Sequence, residues 1–409
     1  MPWARFDDLR SGTALEFGAP HRELIAEQPS EVVGVLQQVQ HATDAGQWAY
    51  GHVGYEAASA FGAELVTHDR APGDPPLAWF GVADAPRPVP VVGAPDAEPT
   101  DRWWPEWIEP EYAEQVERVR GHIARGESYQ GNLTVRMAGH VPGDPLEVYR
   151  RLAHAQSGAH NAYLEVAGFA VASASPELFF ERHGPWIRVR PMKGTARRSP
   201  DPVEDARRAA ALRVDPKERA ENTMIVDLMR NDLGRIARTG SVRVPTLLRV
   251  ERYPTVLQMT SDVTADLRAD VGLPELFTAL FPCGSITGAP KASSMRIIRD
   301  VETGPRGIYC GAIGVVGPAK DGAFARFSVA IRTAVVDLTT RRAHYGVGSG
   351  VTWLSSAPSE HAEVLIKTAV LGRPSDPRRL SPTPSRRPTG EPGHRHRKDD
   401  LCPSTTTPC

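Results

Sequence analysis

Apolar and polar residues along this chain switch between two periods, and the switches outline its elements. From Glu31 to Ala45 the apolar positions Val32, Val33, Val35, Leu36 and Val39 fall at helical spacing. Trp48 to Tyr55 reads as a strand interrupted by glycine. Leu77 to Val82 reads as another, inside a Pro/Gly-rich loop from Ala71 to Thr100. A helix is predicted from Glu109 to Gly126. Strand-like alternation then covers Tyr129 to Met137, Ala162 to Ala172, Leu178 to Arg182 and Trp186 to Val189. Asp201 to Arg238 is the strongest helical stretch. Its internal Pro216 follows Asp215, which predicts two helices with Asp215 capping the second. Strands return at Ser241 to Val244, Val256 to Thr264, Ile308 to Val316, Phe324 to Val336 and Ala343 to Gly348. A last helix begins after Pro358, ends near Leu371 and is stopped by Gly372.

Strands and helices thus mix without a regular βαβ repeat. The expected class is α/β in the α+β sense, not a doubly wound parallel sheet. Residues 1–110 read as short strands and loops with one or two helices, and residues 111–372 hold the bulk of the elements. From residue 373 to 409 proline, arginine, serine and threonine replace apolar residues, so a disordered tail is expected there.

Composition narrows the function classes. Hydrophobic content of 41% and charged content of 24% are ordinary for a soluble globular protein. A formal net charge of −1 gives no global field toward nucleic acid or an anionic membrane. No apolar run reaches the roughly 20 residues needed to span a bilayer, and Met1 to Leu9 lacks the apolar core of a signal peptide. The four cysteines form no Cys-x-x-Cys pair, which suits a reducing, cytoplasmic setting.

The candidate chemistry starts at Lys193, in a glycine-bearing segment, Arg190-Pro191-Met192-Lys193-Gly194-Thr195, read as a turn after a strand. Upstream lies Ser175-Pro176-Glu177. An amine and a carboxylic acid on neighbouring segments can act as nucleophile and proton donor. Alone, Lys193 is equally a surface lysine beside a turn.

Two helices carry a repeated signature, Glu218-x-x-Glu221 and Glu360-x-x-Glu363. Spacing of three places both carboxylates of each pair on one helix face. A single such pair is usually a solvated face. Two pairs brought together would offer four carboxylates to a hard cation such as Mg2+, which takes one or two directly and keeps waters for the rest.

Two glycine-rich segments read as anion-binding turns. Phe281 to Lys291, containing Thr287, precedes a helical run, and Tyr345 to Gly350 precedes the second Glu-x-x-Glu helix. Arg332 lies in an otherwise apolar strand and calls for a carboxylate partner. Together these features suit a small ligand with several carboxylates, held partly through a metal.

With these residues in view, the chain resembles the chorismate-utilising enzymes. The shared segments include Tyr129 to Thr134, Ser175 to Leu178, Lys193-Gly194-Thr195, Asp215 to Gly234, Gly284 to Lys291, Tyr309-Cys310-Gly311 and Ile331-Arg332-Thr333. The resemblance is strong from Tyr112 to Leu371 and looser over residues 1–110. It implies two large antiparallel β-sheets enclosing the active site, with flanking helices. It also implies Mg2+ on the ring carboxylate of chorismate, with Glu221 and Glu363 as direct ligands and Glu218 and Glu360 acting through water. Arg332 and Tyr309 would hold the enolpyruvyl carboxylate. Gly348, Gly350 and Lys367 would hold carboxylate groups. Gly194, Thr195 and Thr287 would lie against the substrate.

Two positions discriminate within that resemblance. Relatives that activate water carry a lysine where this chain has Gln130, and anthranilate synthases usually have alanine where it has Lys193. The lysine resembles the aminodeoxychorismate synthases. There it is thought to attack ring carbon 2, with Glu177 protonating the departing 4-hydroxyl and ammonia entering at carbon 4. Anthranilate synthesis, or a catalytically silent chorismate-binding subunit, are the competing readings. The silent subunit is raised by Gln258, where many relatives have histidine, and by Leu354. Ser349 replaces a common glycine. No Leu-Leu-Glu-Ser segment occurs near the N-terminus, so tryptophan feedback is not expected. The resemblance further implies a separate glutamine amidotransferase subunit supplying ammonia, and a separate lyase that takes the product to p-aminobenzoate.

Overall fold

The computed structural model describes residues 3–96, 98–253, 256–318 and 323–372. Strands β1 (Trp3–Asp8) and β2 (Thr13–Phe17) form a hairpin, and β3 (Arg22–Ala26) leads into α1 (Pro29–Asp44). Strands β4 (Trp48–Val53) and β5 (Ala78–Ala83) flank a 3-10 turn over Tyr55–Ala60. Short β6 (Arg87–Val89) and β7 (Arg102–Pro105) precede α2 (Glu109–Ala124), β8 (Gln130–His140) and α3 (Pro145–Gln156). Five strands then follow without a helix: β9 (His160–Val166), β10 (Phe169–Ser175), β11 (Leu178–His183), β12 (Trp186–Arg190) and β13 (Met192–Arg197). Helices α4 (Pro202–Val214) and α5 (Pro216–Gly234) lead to the paired β14 (Arg243–Arg252) and β15 (Val256–Asp266). After α6 (Leu273–Leu280), β16 (Gly288–Ala289) and α7 (Lys291–Val301) come β17 (Ala312–Gly317), β18 (Phe324–Val329), β19 (Thr333–Asp337) and β20 (Arg342–Thr352). Helix α8 (Ala357–Thr368) closes the described chain.

The strands make two antiparallel sheets. The first runs β16-β8-β20-β19-β10-β9-β1-β2-β6, with β7 added on β8. The second runs β13-β15-β12-β11-β18-β17-β4-β5-β3, with β14 added on β15. Phe17, Leu164 and Val171 of the first sheet meet Tyr50, Trp79 and Ile313 of the second in one apolar layer. Helices cover the outer faces. Helices α1, α5 and α6 pack on the second sheet, and α2, α3, α7 and α8 on the first. Burial of each large side chain in these layers contributes roughly 1.5–3 kcal/mol. This is the two-sheet α+β architecture that the resemblance implied, and strands from residues 1–110 extend both sheets.

Two stretches that read as single strands are broken. Ala162 to Ala172 is the β9–β10 hairpin, which turns at Ala167 (φ 49°) and Gly168 (φ 84°). Phe324 to Val336 leaves the second sheet as β18 and enters the first as β19. Arg332 therefore lies not in a strand but at the crossover, where its own φ is 54°. The step from β10 to β11 is a second crossover, made at Pro176-Glu177. Proline has no N–H for the ladder, so the strand breaks there.

The two crossovers lie side by side. Val329 N–H donates to the Glu177 carbonyl at 3.1 Å, and Ala174 N–H to the Arg332 carbonyl at 3.0 Å. The seam where the sheets exchange chain thus holds two candidate site residues.

Other readings also change. Lys193 stands on β13, not in a turn, and Tyr345 to Gly350 lies inside β20, paired along its length with β8. The helical spacing of α3 went unread. The tail expected from residue 373 to 409 lies outside the described residues. Among the described residues no helix is long and apolar enough to cross a membrane.

Candidate active site

Lys193 is set by an irregular edge strand. The β13–β15 register shifts between Met192 and Thr195, and Gly194 in between has φ 86°. A side chain at Gly194 would be strained, and its Cβ would stand 2.9 Å from Glu218 Oε2. The missing side chain brings β13 against the first turn of α5. The Lys193 amine donates to the Ser285 carbonyl at 3.1 Å. It also lies 3.3 Å from the place a Cβ on Gly350 would occupy, beside the buried Gln130 amide.

Glu177 is buried, 2% exposed. Burial pushes its pKa up to about 7, against the opposing pull of the Ser285 hydroxyl, the Lys193 charge and the Met192 backbone. Cys283 Sγ lies 3.9 Å from Glu177 Oε1 and 3.2 Å from Ser285 Oγ. A carboxylic acid titrating near neutrality is suited to giving up a proton in a reaction.

Asp215 caps α5 as the sequence predicts, its carboxylate accepting from Glu218 N–H at 3.0 Å. The first turn of α5 then faces α8. Burial, together with the charges of Glu221, Asp215 and Glu363, raises the Glu218 pKa to about 7 against the pull of Lys217. Burial likewise raises Glu221, whose carboxylate feels Glu360 and Glu363 across the gap and Lys193 and Lys217 in the opposite sense. The four glutamates therefore share one electrostatic environment.

Among the described residues Glu221 Oε1 is buried without a hydrogen-bond partner, although Lys217 Nζ lies 3.9 Å away. Glu360 is buried on α8. Burial would raise Glu363, but Lys367 at 2.6 Å holds it below its ordinary value. Among the described residues, no three carboxylate, histidine or cysteine side chains close on a single point as a finished metal site. The orphaned Glu221 oxygen and the mutual repulsion fit a cation drawn between the two helices.

The β20 strand supplies a wall by alternation. Gly348 and Gly350 share one face, while Ser349 turns to the other and bonds the Tyr112 hydroxyl at 2.8 Å. Serine at 349 therefore keeps its side chain off the glycine face. Lys367 donates to the Gly348 carbonyl at 2.7 Å and pairs with Glu363, so it straps α8 to β20. Gly346 leaves room for the buried Tyr309 ring, which a Cβ there would strike. Tyr309 sits beside the crossover because Cys310 N–H donates to the Ala330 carbonyl at 2.9 Å. Arg332 is half-buried beside Tyr345 and forms no ion pair among the described residues.

Thr287 is buried and spends its hydroxyl on the Cys283 carbonyl at 3.1 Å. Its segment forms a 3-10 turn and β16, paired with β8, directly ahead of α7. Thr195 is exposed and donates to Gln258 Oε1 at 3.0 Å, while Gln258 Nε2 donates to the Gly194 carbonyl at 2.9 Å. Gln258 thus pins the bulged strand.

Sequence reasoning missed three contributors. Ser285 and Cys283 lie in a motif that was read for its glycines, and nothing in their spacing announced contact with Lys193 or Glu177. Arg306, also unread, is buried and bidentate to Glu302, and donates to the carbonyls of Ile286 at 2.8 Å and Asn132 at 2.7 Å. A charged i,i+4 pair next to Gly304 and Pro305 gave no sign of burial.

A family described as chorismate binding enzyme matches residues 9–373. This chain belongs to the chorismate binding enzymes. It is 45% identical over 261 residues to aminodeoxychorismate synthase of Streptomyces pristinaespiralis, covering 63% of this chain and 35% of that protein. It is 38% identical over 294 residues to anthranilate synthase component 1 of Streptomyces coelicolor, covering 70% and 57%. The chain therefore spans only part of the length of the curated relatives it matches. The crystal structure of anthranilate synthase component I from Streptococcus pneumoniae TIGR4 superposes with a TM-score of 0.76 at 25% identity, covering 87% of this chain and 91% of that one. Two ten-stranded sheets with helices outside are thus a fold that this chorismate binding enzyme has in common with a solved relative.

Proposed function

We propose that this chain aminates chorismate at ring carbon 4, giving 4-amino-4-deoxychorismate and water. The observation that supports it is the meeting of Lys193 and Glu177 at Ser285, against the glycine face of β20. In this reading the uncharged Lys193 amine forms a bond to carbon 2. The ring double bonds shift and the carbon–oxygen bond at carbon 4 breaks. Glu177 gives its proton to the leaving hydroxyl. Ammonia then bonds at carbon 4, the double bonds shift back, and the bond to Lys193 breaks. The ammonium formed at carbon 4 returns a proton to the Glu177 carboxylate, and the free amine and restored acid complete the cycle.

Around that chemistry the remaining residues bind. Arg332 and Tyr309 would receive the enolpyruvyl carboxylate, the first by charge and the second by its hydroxyl. Gly348 and Gly350 would let the ring approach β20. Gly194 and Thr195 would border the ring near the nucleophile. Mg2+ would be held by Glu221 and Glu363, with Glu218 and Glu360 through water, and would neutralise the ring carboxylate. Ammonia would come from a glutamine amidotransferase partner, and a separate lyase would take the product toward p-aminobenzoate and folate. The buried free thiols of Cys283 and Cys310 suit a reducing, cytoplasmic setting.

Anthranilate synthase is the rival reading, because relatives of that name match at similar identity. The test gives purified protein chorismate, Mg2+ and ammonium, with products identified by mass spectrometry. Aminodeoxychorismate is expected, and its loss in Lys193→Ala. Accumulation of anthranilate would overturn the proposal. An unchanged rate in Lys193→Ala would remove that lysine from the chemistry.

A further inference from the structure

The turn Cys283-Gly284-Ser285 touches both ends of the proposed chemistry. Its Ser285 carbonyl accepts from the Lys193 amine at 3.1 Å. Its Cys283 thiol lies between Ser285 Oγ, at 3.2 Å, and Glu177 Oε1, at 3.9 Å. All three side chains of this cluster, Glu177, Cys283 and Ser285, are at most 5% exposed. Among the described residues neither Lys193 nor Glu177 forms an ion pair.

That arrangement has a chemical consequence. A nearby amine in direct contact with Glu177 would take its proton and leave two useless charges. The turn draws Lys193 to a backbone carbonyl instead. An N–H given to a carbonyl leaves the amine lone pair free. On the other side, Glu177 meets a thiol, which is a weak donor. A strong donor there would stabilise the carboxylate and leave less of Glu177 protonated near neutral pH. The Ser285 hydroxyl is such a donor, and it is shared with the thiol.

We propose that the Cys283 thiol keeps Glu177 in its proton-donating form, a weak donor standing beside the carboxyl where a strong one would favour the carboxylate, while the Ser285 hydroxyl sets the opposing pull. The proposal rests on the reading of Glu177 as the acid. Cys283 and Ser285 are positioning residues, acting through Glu177. The other titratable groups around the cluster are Lys193 from β13 and, on the Cys283 side, Lys291 of α7, itself paired with Asp232 of α5 at 2.9 Å.

The test follows the Glu177 carboxyl directly. Infrared difference spectra of the full chain with isotope-labelled glutamate are recorded across pH, with Glu177→Gln identifying the band. Cys283→Ser replaces a weak donor by a strong one at nearly constant shape. It should lower the titration midpoint by about one pH unit. Cys283→Ala should not lower it, and Ser285→Ala should raise it. A midpoint unmoved in Cys283→Ser, or lowered equally in Cys283→Ala, overturns the proposal. Circular dichroism melts establish that each variant folds. Should Cys283→Ser fail to fold, Ser285→Ala decides, and an unmoved midpoint there overturns the proposal as well.

Ammonia-dependent rates of the same variants, each divided by wild type at the same pH, cancel the titration of ammonia. The alkaline fall in Cys283→Ser should begin at lower pH. A wild type that turns over no chorismate defeats the reading of function, while the infrared midpoints still decide the role of the pair.

Discussion

The Lys193 amine stands 3.3 Å from where a Cβ on Gly350 would be, and the Gln130 amide stands closer still. Residue 350 is thus a glycine because two functional groups occupy the volume of its missing side chain. Gly350→Ala should fold, since β20 stays paired with β8 along its length. The displaced amine should lower kcat by roughly 100-fold, the usual effect of an ångström of misplacement. Steady-state kinetics with ammonium check it, and a kcat within a factor of about two of wild type would show the amine has room elsewhere.

Glu221 holds a buried oxygen with no hydrogen-bond partner among the described residues, across from α8. A divalent cation there should stabilise the folded chain by mass action. Added Mg2+ is expected to raise the melting temperature, and Glu221→Ala to abolish that rise. Retention of the full shift in the variant would place the ion elsewhere.

Arg306 and Glu302 form a buried, bidentate pair that also fixes the carbonyls of Ile286 and Asn132. Removing one partner leaves an unpaired buried charge. Glu302→Gln and Arg306→Met should each cost about 3–5 kcal/mol by urea denaturation. Losses below about 1 kcal/mol would mean that water replaces the missing partner.

Glu56 is buried, and burial raises its pKa to about 7 against the pull of the Arg306 and Gly307 N–H groups. The folded state therefore holds a proton that the unfolded chain, at the ordinary value of 4.5, has released. This contribution is fully present below pH 4.5 and is lost as pH rises through about 7. Its size is on the order of 3 kcal/mol. Glu56→Gln should flatten the stability profile over that window relative to wild type. Equal slopes in urea titrations of the two proteins would count against a protonated Glu56.

How much of this was legible beforehand depends on the range of the interactions. The chain order of strands and helices, the Asp215 cap and the two Glu-x-x-Glu faces depend on residues a few positions apart. Local preference and periodicity therefore expose them. Lys193, Gly194 and the glycines of β20 were also visible as candidates, and the resemblance named their roles.

The breaks at Ala167-Gly168 and Arg332 were not visible, because apolar alternation continues across them and a strand does not record which sheet it joins. The same holds for the contacts of Ser285 and Cys283 with residues 92 and 106 positions away. Sequence by itself determined which residues could do chemistry and which helix faces they share. Only the tertiary structure decided that Arg332 sits at a crossover, that the buried Thr287 hydroxyl bonds the Cys283 carbonyl and that Glu177 meets a thiol. Those outcomes follow from the packing of two sheets against each other, which couples residues that no local period connects.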